Sequence, residues 1–152
     1  QGGKCSAPGQ VPISGRRAAV EAAARALRKK KKKKVVTLAV SIAAHSELMR
    51  SVAAEFGERV AATALARPSV PIMMNATAEP TREPDEVKAQ LAAQLTSPVL
   101  WTDSIQRMQD AGISTYFEVG PGRVLTGLVR RIVRGATSEA HVMSLSEPDD
   151  DD

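Results

Sequence analysis

Ser41-Ile42-Ala43-Ala44-His45-Ser46-Glu47-Leu48-Met49 is the stretch on which the reading of this chain turns, because two kinds of periodicity meet in it. Before it, Val35, Val36, Leu38 and Val40 form a short, mostly β-branched apolar run. After it, Met49, Val52, Phe56 and Val60 recur at helical spacing, so His45 falls on a strand-to-helix junction. Ser46 is the expected cap of that helix. The positive end of a helix dipole disfavours an imidazolium, so a histidine here is expected to stay neutral near pH 7, the form a general base needs. Position alone is also met by an ordinary surface histidine at a helix start.

Outward from this junction the signals alternate. Residues 11–14 read as a short edge strand with Pro12 inside it, and the alanine-rich stretch at 16–28 as a helix with Ala19, Ala23, Ala26 and Leu27 on one face. Downstream, residues 70–74 form a short apolar run and residues 75–80 a loop. Pro84, Asp85 and Glu86 make a good helix start, followed by a stripe of Val87, Leu91 and Leu95. Trp101, Ile105 and Met108 outline another helix ending near Gly112. Residues 115–119 read as a strand running into Gly120-Pro121-Gly122. The last helix carries Val124, Leu125, Leu128, Val129, Ile132 and Val133 on one side and Arg123, Arg130, Arg131 and Arg134 on the other. A small strand is expected at 141–145 and a disordered end at 147–152. Strands alternating with helices imply an α/β fold with a largely parallel sheet.

Length and composition set the outer limits. The 152 residues suit one ordinary domain or a large piece of a bigger one. Aromatic residues are only 3% of the chain, so the core is expected to be aliphatic, anchored by Trp101, Phe56, Tyr116 and Phe117. The formal charge of +4 comes from one place. Without the six lysines at 29–34, 15 basic residues face 17 acidic ones and the balance is −2. A single cysteine, Cys5, excludes an internal disulfide, and no apolar run reaches the ~18 residues of a membrane span. No secretory signal is visible at the start, so a cytoplasmic location is the default expectation.

Four segments taken together are more specific than any one of them. They are Ser6-Ala7-Pro8-Gly9-Gln10, the His45 segment, Gln94-Leu95-Thr96-Ser97-Pro98-Val99-Leu100-Trp101, and Phe117-Glu118-Val119-Gly120-Pro121-Gly122-Arg123-Val124-Leu125-Thr126-Gly127-Leu128. In this order they resemble the C-terminal half of the malonyl-CoA:acyl carrier protein transacylases, the acyltransferases of fatty acid and polyketide synthesis, from about residue 6 to about residue 133. The resemblance implies a ping-pong transfer, in which a serine takes the malonyl group from coenzyme A and passes it to the phosphopantetheine thiol of acyl carrier protein. It implies that His45 is the catalytic base, and that Gln94, through its backbone carbonyl, orients it. It implies that Ala44, in the position that helps select the extender unit, borders a substrate pocket wider than that of relatives with phenylalanine there. Asn75 matches a family asparagine to which no chemistry is carried over.

The departures weigh as much. The family's Gly-His-Ser-x-Gly elbow, its carboxylate-pairing arginine and its oxyanion glutamine do not occur in these 152 residues. The chain is therefore expected to be a fragment, inactive alone, that needs the N-terminal half of the same domain. By the same resemblance, residues 1–40 belong to a partial ferredoxin-like subdomain, 41–135 to the C-terminal part of a parallel-sheet, α/β-hydrolase-like acyltransferase core, and 136–152 to a tail. Malonyl-CoA is the expected substrate and acyl carrier protein the partner, with no tightly bound cofactor, no membrane, and no metal site, since His141 has no neighbouring ligand set. The glycines at 120 and 122 lack the Lys-Ser/Thr ending of a P-loop and read as a tight turn packing a helix on a strand. The lysine run has no interleaved aromatics or recognition-helix pattern, and reads as a solvated charge run rather than a nucleic-acid contact. A reading of another class remains at this stage: a non-catalytic remnant or interaction module that binds an acidic partner through those lysines.

Overall fold

The computed structural model describes residue 9 and residues 11–29, 34–37, 43–134 and 141–145. Helix α1, Arg17–Lys29, forms where alanine supplies propensity, but none of its residues is buried. Expectations at the start of the chain hold only in part. Residue 13 alone of the stretch 11–14 makes a bridge, and residues 34–37 have no regular structure. The rest of the expected strand before His45, like Cys5, most of the lysine run and the acidic tail, lies outside the described residues.

A short 3-10 turn at Glu47–Met49 leads into α2, Arg50–Ala62, which packs on α3, Pro84–Gln94. The two helices run antiparallel. Lys88 Nζ donates to the Ala61 carbonyl at 3.1 Å near one end of the pair, and a Cβ added at Gly57 would lie 3.6 Å from Ala92 Cβ. Small residues thus set a close helix approach. A groove of about 310 Å³ along this seam is lined by Gly57, Val60, Ala61, Asp85, Lys88, Ala89 and Ala92. Helix α3 begins at Pro84, as its proline and acids require, and Thr81 steadies the entry by accepting from the Glu83 amide at 3.1 Å and donating to Glu86.

Strands β1, Ile72–Met73, and β2, Pro80–Thr81, pair antiparallel, so the loop expected at 75–80 is shorter than its composition suggests. Its turn is closed by Met74 N to Glu79 O at 2.9 Å and Ala78 N to Met74 O at 2.8 Å, with Ala78 at φ 56°. Pro80, the last residue of that stretch, belongs to β2 instead. The turn is tied onward to α4, Trp101–Asp110, by Leu100 N to Asn75 O at 2.7 Å and by an Arg107–Glu79 pair.

Strand β3, Thr115–Val119, helix α5, Val124–Val133, and strand β4, His141–Leu145, make one βαβ unit. The strands pair in parallel with Thr115 opposite His141 and Val119 opposite Leu145, the crossover being α5. Among the described residues this two-stranded sheet is parallel, and β1–β2 is a separate antiparallel one, so the expected largely parallel sheet is seen only in part. The core lies between α4, α5 and β4, where Ile105, Val129, Ile132, Val133 and Val142 cluster, with Trp101, Tyr116, Met108 and Leu128 packed around them. Two expected anchors lie elsewhere: Phe117 is 55% exposed and Phe56 37% exposed. Alternation along β3 turns Tyr116 and Glu118 inward and Phe117 outward, so one residue of register decides the matter. Val124 and Leu125, expected on the buried side of α5, are exposed at its first turn, ahead of the point where α5 meets the core. Among the described residues, no helix is long and apolar enough to cross a membrane.

The α2–α3 contact is checked by substitution. Gly57→Ala places a methyl at ordinary van der Waals distance and removes glycine's helix penalty, so we expect a gain of about 0.5–1 kcal/mol in urea unfolding. A loss would mean that the helices approach more closely than described. Gly57→Leu overpacks the seam and is expected to cost about 1–3 kcal/mol.

Candidate active site

His45 has a left-handed backbone, φ 61°, which only a small share of non-glycine residues adopt. The conformation costs an L-residue roughly 1–2 kcal/mol, and two hydrogen bonds made by side chains of this turn, at ~0.5–1.5 kcal/mol each, are of the size needed to offset it. One is made by Ser46, whose buried hydroxyl donates to the Ala43 carbonyl at 2.6 Å. Ser46 stands at the N-cap position of the 3-10 turn yet makes no side-chain cap bond, so the capping role read from the sequence is corrected. The hydroxyl closes the turn behind it instead.

The second bond is made by the imidazole. Its Nδ1 lies 2.9 Å from the backbone oxygen of Gln94, a residue 49 positions away. A carbonyl oxygen only accepts, so Nδ1 carries the hydrogen, and in the neutral ring Nε2 is left with its lone pair. Gln94 is the last residue of α3, and the final carbonyls of a helix lack partners within it. The antiparallel α2–α3 packing explains the meeting, because it brings the end of α3 beside the start of α2. His45 and Ala44 are both half-buried, with Ala44 on the chain immediately before the ring-bearing residue.

The Gly120–Gly122 turn is built as a turn. Both glycines have positive φ, 129° and 88°, and the chain folds back there from β3 into α5. The anion position at the N-terminus of α5 is filled from within. Glu118 Oε1 accepts from the Leu125 amide at 3.0 Å and Oε2 from the Thr126 amide at 2.7 Å. The Thr126 hydroxyl nearby, which falls short of hydrogen-bond geometry, and the amides of Thr126, Leu125 and Val124 lower the Glu118 carboxyl from its ordinary value, the amides being the bonds the geometry supports. A phosphate would have to displace this side chain.

The remaining sequence candidates are dispersed. Asn75 contributes its backbone oxygen to the Leu100 amide, which steadies the loop after Gln94. Arg130 donates to the Val142 carbonyl at 3.0 Å and Arg131 to the Gly127 carbonyl at 3.1 Å, so these two arginines of α5 serve the fold. His141 is exposed at the start of β4, and among the described residues no three of His, Cys, Asp and Glu converge as a metal site would need.

The model of the family described as acyl transferase domain matches residues 2–152. The chain belongs to the acyl transferase domain family. It is 37% identical over 143 residues to the malonyl CoA-acyl carrier protein transacylase of Escherichia coli, covering 94% of this chain and 45% of that protein. An acyl carrier protein S-malonyltransferase from Vibrio cholerae superposes with a TM-score of 0.84 at 33% identity, over 94% of this chain and 45% of that one. A malonyl-transacylase solved in complex with its type II PKS acyl-carrier protein gives 0.82 at 31% identity, over 93% and 44%. This acyl transferase domain chain thus spans about 45% of the length of the Escherichia coli and Vibrio cholerae relatives, and its α/β architecture is that of the solved structures it matches.

Sequence reasoning on the acyl transferase domain missed two features that set its histidine. The left-handed backbone has no glycine to announce it, and the hydroxyl of Ser46 serves a turn where a cap was expected. The alternating strand pattern with Glu118 facing inward, seven residues before the amide it binds, is the signal by which the α5 cap could have been found.

The Glu118 contact generates a pH dependence with a definite sign. Its carboxyl is lowered in the fold, so its stabilisation is fully present above the unfolded value near 4.5 and fades as pH falls through the folded one. Glu118→Gln is therefore expected to unfold at lower denaturant than the parent chain at pH 7, with the gap closing on acidification. A gap that stays constant from pH 7 to about pH 3 would contradict the assignment.

Proposed function

We propose that this chain is the histidine-bearing part of an acyltransferase that moves a malonyl-type acyl group from coenzyme A to the phosphopantetheine thiol of acyl carrier protein. The observation that carries the reading is the Nδ1–H bond to the Gln94 carbonyl, because it leaves Nε2 available to a hydroxyl. Ring orientation and tautomer are what a serine–histidine pair requires of its base.

In this scheme a serine from outside these residues gives its proton to His45 Nε2 as its oxygen attacks the thioester carbonyl. The C–S bond breaks, and the coenzyme A sulfur leaves as thiol with the proton that His45 returns. The carrier's thiol then surrenders its own proton to Nε2, attacks the acyl-serine ester, and the serine oxygen recovers a proton as the acyl group departs. Gln94 holds the ring through both halves of the reaction. Ala44 borders the acyl pocket, where a small side chain leaves room. No tightly bound cofactor enters, and a cytoplasmic setting belongs to the same reading.

The division of the chain follows from it. We assign residues 1–40 to a partial ferredoxin-like subdomain, 41–135 to the α/β-hydrolase-like core and 136–152 to a tail. The N-terminal half of the domain is the partner that brings the nucleophile and the carboxylate-binding arginine. An apolar sheet face supports the need for a partner: Phe117 is 55% exposed, Val119 81%, and Met143, opposite Phe117, is also exposed. Parallel sheets are ordinarily covered on both faces.

The test joins these residues to a serine-bearing half of the domain and follows malonyl transfer from malonyl-CoA to acyl carrier protein. His45→Ala is expected to lower the rate by about 10²–10⁴-fold, the range of a lost general base. Transfer at the parental rate would refute the role given to His45.

A further inference from the structure

We propose that Ser46 is a positioning residue for His45, acting through the backbone of the turn rather than through the reacting atoms. Three facts converge on it. Ser46 is 2% exposed, so its hydroxyl is withdrawn from water and its bond to the Ala43 carbonyl, at 2.6 Å, has no solvent competitor. The residues spanned by that bond are Ala44 and His45, and His45 is the one held at φ 61°. The Ser46 carbonyl in turn accepts from the Met49 amide at 3.0 Å, which anchors the far side of the turn to the 3-10 helix.

Geometry explains why a side chain is needed here. A left-handed residue without glycine relaxes toward ordinary backbone regions unless its neighbours hold it. Such a relaxation swings the Cα–Cβ bond and carries the ring away from Gln94, whose carbonyl is fixed at the end of α3. Nδ1 would then lose its acceptor, and the tautomer would be set by water instead. Ser46 and Gln94 thus act in series, one fixing the backbone and the other the ring. The meaning of this for acyl transfer rests on the function proposed above, whereas the meaning for the ring does not.

The two are separated by experiment. In the 152-residue chain with ¹⁵N-labelled histidine, the neutral ring of His45, assigned by its absence in His45→Ala, is expected to give the Nδ1–H tautomer. Ser46→Ala, folded by far-ultraviolet circular dichroism, is expected to shift that signal to mostly Nε2–H, the form favoured by unconstrained histidine. Ser46→Cys, which keeps the volume but donates weakly, is expected to do the same, and serves alone if the alanine variant does not fold. Either folded variant retaining the Nδ1–H form overturns the proposal. In a domain completed with its serine-bearing half, Ser46→Ala is expected to lower kcat by up to ~10²-fold with KM for malonyl-CoA little changed, as for a misplaced base. An unchanged kcat beside a shifted tautomer would overturn the catalytic reading of His45 and leave the turn assignment standing.

Discussion

One hydrogen bond organises this molecule: the imidazole of His45 giving its Nδ1 hydrogen to the carbonyl of Gln94. It closes a loop of 49 residues, and so many intervening residues make contact by chance improbable unless the elements between them fix the distance. They do. The chain from His45 runs out along α2, turns through the β1–β2 hairpin, and returns along α3. Because α2 and α3 touch through Gly57 and Ala92, a bulky side chain at the seam would spread the helices and move Gln94 away from the ring. Packing remote from the histidine therefore controls the geometry at it.

That arrangement also decides the electrostatics. The sequence places His45 just ahead of a helix start. The fold adds what the sequence hid: the last carbonyl of α3, at the negative end of a second helix, lies against the same ring. The imidazole therefore lies at the C-terminal end of α3, on a residue just ahead of the 3-10 turn that leads into α2. An oriented peptide dipole is thus already in place against the Nδ1–H side of the ring.

Legibility from sequence followed the range of each signal. Helices α3, α4 and α5 could be read because their cues are local: Pro84 with two acids, Trp101 and Ile105 at helical spacing, the apolar side of residues 124–133. The core residues were read less well. Aromatic bulk suggested Phe56 and Phe117 as anchors, yet burial depends on which face meets a neighbour, and β3 turns Phe117 outward while aliphatic Ile105 and Val129 form the centre. Pro80 read as loop, yet it belongs to β2. At the site, the position of His45 was legible and its meeting with Gln94 came from family resemblance. The left-handed φ was not, since histidine carries no mark of it, and a serine after a turn looks the same whether it caps forward or closes backward.

Among the helix ends of the described residues that side chains complete, those of α5 and α3 distinguish structure from chemistry. At the N-terminus of α5, Glu118 offers two oxygens and both are occupied by backbone amides, so the carboxylate is spent on the turn that links β3 to α5. At the C-terminus of α3, His45 offers two nitrogens and Gln94 takes one. The imidazole is the one side chain whose two ring nitrogens can exchange donor and acceptor roles near neutral pH, so fixing one of them defines the other. A fully used cap stabilises and does nothing more. A half-used cap leaves a directed lone pair, and the hydrogen bonds that hold His45 at φ 61° against its strain keep the ring beside the carbonyl that the packing of α2 on α3 has placed there.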